Sequence, residues 1–147
     1  MNISVLHLLI FLFGTLSLSE NKEQADEEYG VITVSVADAR MEASYSAEMG
    51  TQLLLGMPLQ IIQNKGWWQV KTPEDYIAWI EKNSFARMTK EAFNQWINAK
   101  KVIFTGDYGF AYETPDENKQ RVSDLVFGNL LKWEGENKKF FQVSYPD

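Results

Sequence analysis

Thr51-Gln52-Leu53-Leu54-Leu55-Gly56, then Leu59, then Trp67-Trp68-Gln69-Val70-Lys71-Thr72-Pro73, forms one half of an internal repeat. The other half is Ser123-Asp124-Leu125-Val126-Phe127-Gly128, then Leu131, then Phe140-Phe141-Gln142-Val143-Ser144-Tyr145-Pro146. The offset is 72 residues up to Leu131 and 73 afterwards, so one residue is inserted in a turn. Hydroxyl matches hydroxyl, three apolar residues match three, and Gly, an aromatic pair, Gln-Val and Pro follow in the same order. Two such segments with a spacing change confined to a turn argue for a duplicated module. The copies differ at their ends: the first continues into Tyr76-Ile77-Ala78-Trp79-Ile80, and the second reaches Asp147 two residues after Tyr145.

The 147 residues suffice for one ordinary domain or two small ones, and the repeat favours two. Apolar residues make up 45% and aromatics 14%, enough to build cores. The net charge of -6 argues against nucleic acid, which needs a basic footprint, and against attraction to anionic lipid. There is no cysteine, and the single histidine, His7, lies in the apolar N-terminal run. Thiol and Ser-His catalysis, disulfides and His- or Cys-ligated metals are therefore not expected of the mature chain, and no cofactor or metal is implied.

Along the chain, residues 1–19 read as a secretory signal. Val5 to Phe13 is apolar but too short for a stable membrane span, and Ser17-Leu18-Ser19 fits a small-x-small cleavage site. The n-region carries no Lys or Arg, and a buried N-terminal strand is the alternative. The signal implies export across the inner membrane to a periplasmic or extracellular location. Residues 20–28 form an acidic leader without periodicity. Val31 to Val36 alternates as a half-buried strand, and Ala37 to Gly50 reads as a long irregular loop. Strands are expected at Gln52–Leu55, Leu59–Gln63, Trp67–Lys71 and Tyr76–Ile80. Asn64-Lys65-Gly66 makes a hairpin turn between two of them, and Pro73-Glu74-Asp75 makes a second turn. About five short strands in some fifty residues outline a small barrel that removes its sheet edges by closing. Thr89 to Ala99 has apolar residues at helical spacing, Ala92, Phe93, Trp96 and Ile97, with Thr89 as N-cap and Met88 placed to staple onto Phe93. The second copy then runs through Val102–Thr105, Tyr108–Tyr112 and the repeated core, with Glu134-Gly135-Glu136-Asn137 as its hairpin turn.

Asp38-Ala39-Arg40, the Thr51–Gly56 segment, Gly66-Trp67-Trp68-Gln69-Val70 and Tyr76-Ile77-Ala78-Trp79-Ile80 together resemble a bacterial SH3 domain. They are most similar to the first SH3 module of secreted cysteine peptidases of the NlpC/P60 family. Those enzymes, γ-D-glutamyl-L-diamino acid endopeptidases or dipeptidyl-peptidase VI, cut peptidoglycan stem peptides. The resemblance runs from about Tyr29 to Asp147 and includes Lys101-Val102-Ile103-Phe104-Thr105, which opens a second SH3 module. It implies an all-β fold of two SH3-like small barrels joined by a short helix, the second incomplete at its C-terminus. The expected organisation is residues 29–87, first domain; 88–100, connecting helix; 101–147, second domain, less stable than the first. In the family a Cys-His catalytic domain follows; no Asp-Cys-Ser-Gly motif occurs here, so no catalysis is expected of this chain.

By the resemblance, Tyr76 belongs to a Tyr-x-Gly-Trp motif whose Tyr helps to hold the free amino end of a muropeptide, although Ala78 replaces the motif's Gly. A family carboxylate directly before the Thr-Gln pair is absent: Gly50 stands there, and Glu48, two residues back, is the candidate substitute. Trp67, Trp79 and Asp75 complete a possible ligand surface. Each also has a plain reading as packing or solvated surface. Strand alternation sends Trp68 and Val70 to one face and Trp67 to the other. Asp38 and Arg40 share a face and suit an ion pair bracing the loop, and Trp96 suits packing between the copies.

Three functions remain: a non-catalytic, substrate-gating part of a cell-wall endopeptidase that acts with a catalytic NlpC/P60 domain, a free-standing module that binds peptidoglycan stem peptides, muropeptides or a protein, and an unrelated carboxylate hydrolase. No paired carboxylate stands out for the last.

Overall fold

The computed structural model describes residues 28–137 and 139–147; the secretory signal and acidic leader expected over residues 1–27 lie outside the described residues. Strands dominate, in the order β1 (Glu28–Ile32), β2 (Val36–Arg40), β3 (Met49–Leu54), β4 (Pro58–Asn64), β5 (Trp68–Lys71), β6 (Ile77–Ile80) and β7 (Phe85–Met88). The single helix α1 (Lys90–Asn98) follows, then β8 (Lys101–Ile103), β9 (Tyr108–Tyr112), β10 (Arg121–Val126), β11 (Leu130–Glu136) and β12 (Phe141–Ser144). The all-β, SH3-like expectation holds.

The first copy is one antiparallel sheet in the order β3-β2-β6-β5-β4-β1-β7. Laid flat, seven strands would span about 29 Å. Yet Leu53 of edge strand β3 and Phe85 of edge strand β7 belong to one buried cluster with Ile32, Ala39, Leu59, Trp68, Val70 and Ile80. The sheet therefore curls around its core. It does not close, since β3 and β7 are not paired, and this corrects the expectation that closure removes the edges.

Three further expectations change. The strand placed at Val31–Val36 is broken at 33–35, where the chain bends from β1 into β2. The bend is fixed by Thr33 donating to the Ser84 carbonyl at 3.0 Å and Ile32 to that of Met57 at 3.0 Å. The long loop shrinks to residues 41–48, because Val36–Arg40 is a strand that pairs with β3 and β6. Strand β7, absent from the sequence reading, pairs with β1 along its whole length. The hairpin turn is as expected: Gly66 has φ 85°, a left-handed value that favours glycine, and its N–H donates to Asn64 Oδ1 at 2.9 Å.

Helix α1 starts as the sequence suggests, with Thr89 Oγ1 accepting from the Ala92 N–H at 3.2 Å. Phe93 stacks on Tyr29 at 4.4 Å between ring centroids, and Trp96 is buried with its indole N–H donating to the Gly56 carbonyl at 3.0 Å. Ile97, assigned to the apolar stripe, is exposed instead. Lys101 caps the far end, its ammonium donating to the carbonyls of Trp96, Ile97 and Ala99, where a cation complements the helix dipole. Partial burial of that ammonium lowers its pKa.

The second copy repeats the first residue by residue. Val36↔Leu54 in β2/β3 becomes Tyr108↔Val126 in β9/β10, and Gly30↔Leu59 becomes Val102↔Leu131. Both irregular steps are copied: the one between Ala39 and Arg40 returns opposite Arg121/Ser123, and the one at Ile61/Gln63 returns at Trp133/Gly135. Asn64↔Trp68 becomes Glu136↔Phe141, which places the inserted residue inside the 137–140 turn. Among the described residues no strand stands in the places of β6 and β7, and the second copy falls into two sheets, β10-β9 and β12-β11-β8.

The copies meet through their repeated Gly turns. Gly56 has φ 85°, and a Cβ there would collide with Leu130; a Cβ on Gly128, φ 93°, would come within 2.8 Å of Leu54 Cδ1. Leu130 N–H donates to the Leu55 carbonyl at 2.9 Å. Leu55 leaves its own copy's core and joins the buried cluster of Leu125 and Leu131. Asn129, fully buried, accepts from Val126 N–H at 3.0 Å and donates to the Ser35 carbonyl at 2.8 Å across the boundary. Asn129→Ala removes both bonds and leaves the half-buried Val126 N–H without this partner, while the Ser35 carbonyl keeps the Leu55 N–H at 3.3 Å, so urea unfolding is expected to show a loss of about 1–3 kcal/mol. With so few buried residues of its own, the second copy is also expected to exchange its strand amides faster than the first in native-state hydrogen exchange.

Candidate functional site

One end of the first copy is built by loop 41–48, the hairpin turn before β5 and the turn before β6. The loop is clamped from inside. Arg40 donates to the Ala47 carbonyl at 2.9 Å and pairs with Asp38 at 3.3 Å, and Gln52 donates to the other oxygen of Asp38 at 3.2 Å. Met41 N–H donates to the Glu48 carbonyl at 3.0 Å and closes the loop's neck. The expected Asp38–Arg40 brace is thus present, seated on β2 rather than in the loop.

Tyr76 is delivered by a tight turn. Thr72 is buried; its N–H donates to the Tyr76 carbonyl at 2.9 Å and its Oγ1 accepts from Tyr76 N–H at 3.3 Å. Asp75 takes a left-handed φ of 63°, and its carboxylate pairs with Lys71 at 3.2 Å. Tyr76 is 37% exposed, and its phenol O–H donates to Met41 Sδ at 3.2 Å.

Gly50 makes that contact possible. It is the extra residue of the irregular step in β3, with Thr51 opposite Ala39 and Met49 opposite Arg40. A Cβ there would collide with the Tyr76 hydroxyl and lie within 2.8 Å of the Met41 sulfur. The second copy has Val122 at the same step, exposed. Glycine at position 50, where the resemblance implies a carboxylate, therefore has a physical reason in this chain.

Trp67 lies half-buried on the hairpin turn, and Tyr45, 69% exposed at the tip of loop 41–48, meets it edge-on at 4.8 Å. The Glu81 carboxylate near the Tyr45 hydroxyl raises the Tyr45 pKa above the ordinary value. Trp68 is in the core with Arg87 stacked 5.1 Å from its ring, as alternation requires. Of the residues singled out in the sequence, Tyr76 and Trp67 both touch the same loop, through Met41 and Tyr45. Glu48 is exposed on that loop, its carboxylate without a hydrogen-bond or ion-pair partner among the described residues. Trp79 is half-buried on β6, opposite Arg40 and Gln69. Met41, Gly50, Tyr45 and Glu81 were not singled out as ligand-surface residues. Tyr45 carried a signal, an aromatic inside the small polar run Ala43-Ser44-Tyr45-Ser46; the role of Gly50 depends on register and had none. Among the described residues no group of three or more His, Cys, Asp or Glu could hold a metal, and no helix is long and apolar enough to cross a membrane.

The curled sheet gives the first copy an SH3-like fold. The family model of the bacterial dipeptidyl-peptidase Sh3 domain matches residues 40–85, from the end of β2 to the start of β7. Among solved structures, the chain is similar to a novel NlpC/P60 endopeptidase from Photobacterium damselae subsp. piscicida, with a TM-score of 0.57 and 16% identity. The likeness covers 81% of this chain and 31% of that one, and at this identity it is a likeness of fold. No curated protein matches.

Gly50→Asp is expected to expel the Tyr76 ring and to destabilise the first copy; in a Tyr76→Ala background the same change should cost less. A double-mutant cycle by urea unfolding should give a coupling of about 1 kcal/mol or more.

Proposed function

We propose that this chain is the non-catalytic SH3 region of a peptidoglycan stem-peptide endopeptidase of the NlpC/P60 type, exported across the inner membrane. On this reading the copies are tandem bacterial SH3 domains, and a Cys-His catalytic domain outside these residues performs hydrolysis. The chain itself has no cysteine with which to do so. The observation that carries the reading is the fixed presentation of Tyr76. Its ring lies over Gly50 and its hydroxyl rests on a thioether, a weak acceptor that a better partner displaces. Once displaced, the phenol can donate to a peptide carbonyl or carboxylate, or accept from an ammonium group. A rigid turn holds the ring in place, so little ordering remains on binding. The match to the dipeptidyl-peptidase Sh3 family over residues 40–85 supports the substrate class, since Tyr76 falls within it. Glu48, without a side-chain partner among the described residues and bonded through its carbonyl to Met41, would supply a carboxylate for a cationic group of the ligand.

A second reading, a free-standing cell-wall or protein-binding module, is favoured by one observation. Tyr45 and Trp67 offer an exposed aromatic edge of the sort that sugars and peptides stack on. The two readings separate in a pull-down on purified peptidoglycan and its released muropeptides. Retention of muropeptides should fall several-fold in Tyr76→Ala and be little changed in Trp67→Ala. Retention lost in Trp67→Ala and kept in Tyr76→Ala would select the second reading.

A further inference from the structure

We propose that Met41 is an oxidation site, and that a hydroperoxide acting on its sulfur closes the Tyr76 hydroxyl to ligand. The proposal rests on the reading of Tyr76 as the residue that holds the ligand. Met41 stands at the neck of loop 41–48 and is 53% exposed; Met49 is nearly as exposed, at 49%, and Met57 and Met88 are half-buried. Exposure alone therefore does not distinguish Met41. Its partner does. The Met41 sulfur accepts from the Tyr76 O–H at 3.2 Å, and glycine at position 50 lets both atoms lie close over bare backbone. The backbone behind the sulfur is fixed. Met41 N–H donates to the Glu48 carbonyl at 3.0 Å, and Arg40 holds the Ala47 carbonyl at 2.9 Å.

A thioether attacks the terminal oxygen of a hydroperoxide with a sulfur lone pair. The S–O bond forms as the O–O bond breaks, and the proton on the transferred oxygen passes to the departing one. Sulfur is oxidised by two electrons, and the peroxide leaves as water or an alcohol. The product, a sulfoxide, is polar where the thioether was apolar, and reductases that act on it restore the thioether. A thioether sulfur is a weak acceptor, which is why a ligand displaces it from the Tyr76 O–H. The sulfoxide oxygen is a strong one on the same anchored side chain, so a ligand carbonyl or carboxylate must compete with an acceptor already in place. Oxidation thus exchanges a yielding partner for a retentive one, and the Tyr76 end becomes self-occupied.

The test treats the whole protein with hydrogen peroxide until mass spectrometry of its peptides shows Met41 as the sulfoxide. Retention of muropeptides is expected to fall about fivefold, the worth of one added hydrogen bond, and to return after treatment with methionine sulfoxide reductase. Peroxide should not change retention by Met41→Leu, although Met49 is oxidised in it. Met41→Gln, which brings an amide oxygen on a side chain of similar length, should show the loss without peroxide. A second readout needs no ligand. In urea unfolding, oxidation should raise the unfolding constant about fivefold less in the native sequence than in Tyr76→Phe, which lacks the hydroxyl. Equal effects in the two would overturn the proposal, as would a Met41 that stays unoxidised while Met49 reacts. Retention unchanged by the Met41 sulfoxide but lost in Tyr76→Ala would overturn this proposal and leave the reading of Tyr76 standing. Retention indifferent to Tyr76→Ala would overturn both.

Discussion

A single buried amide holds the two copies in register with each other. Asn129 has no exposure, and its side chain answers one backbone N–H within its own turn and one carbonyl of the other copy. A buried polar group without a partner is expensive, so a relative movement of the copies that broke the bond to Ser35 would leave the side-chain N–H of fully buried Asn129 unpaired. The neighbours reinforce this constraint. Ser35 Oγ donates to Asp124 at 2.9 Å, and the glycine turns interlock so closely that neither tolerates a Cβ. Leu55 adds about 2 kcal/mol of apolar burial to a cluster otherwise drawn from the second copy. The sequence boundary at the helix is thus not an energetic boundary, and residues 88–100 connect bodies that already share a core.

The same economy of parts shapes the end of the first copy that carries Tyr76. Loop 41–48 carries no regular structure, yet Arg40, Met41 and Tyr45 tie it to β2, to Tyr76 and to Trp67 in turn. The loop is therefore a bridge between two candidate surfaces, and a ligand that moves Met41 acts on the segment that also carries Tyr45. In the second copy the equivalent step holds Val122. One scaffold laid down twice carries different residues at the same irregular step, Gly50 in one copy and Val122 in the other.

Much of this was legible in the residues. Repeat spacing gave the register, because period-two strands cannot slip by one residue without turning the core outward. The hairpin glycine and the Thr89 cap were readable from local chemistry alone. The break at 33–35 was not: Ile32 and Val34 both pack on the core although they lie on either side of a bend, so alternation runs on past the end of the strand. Strand β7 was hidden because Phe85-Ala86-Arg87-Met88 has no clear alternation and its partner, β1, lies far away in sequence. For the site, Tyr76 and Trp67 could be chosen as types, whereas Gly50 acquires its meaning from an irregular strand step that residue types do not reveal.

The left-handed turn before β6 has a bearing on how this end tolerates change. Asp75 holds a backbone conformation that costs an ordinary residue about 1–2 kcal/mol, and aspartate bears it better than most. The cost falls one residue from the tyrosine whose placement matters. Glycine would relieve it and widen the range of the turn, trading a stiff delivery of the phenol for a looser one. Drift at position 75 would therefore register first in how firmly the Tyr76 phenol is held over Gly50.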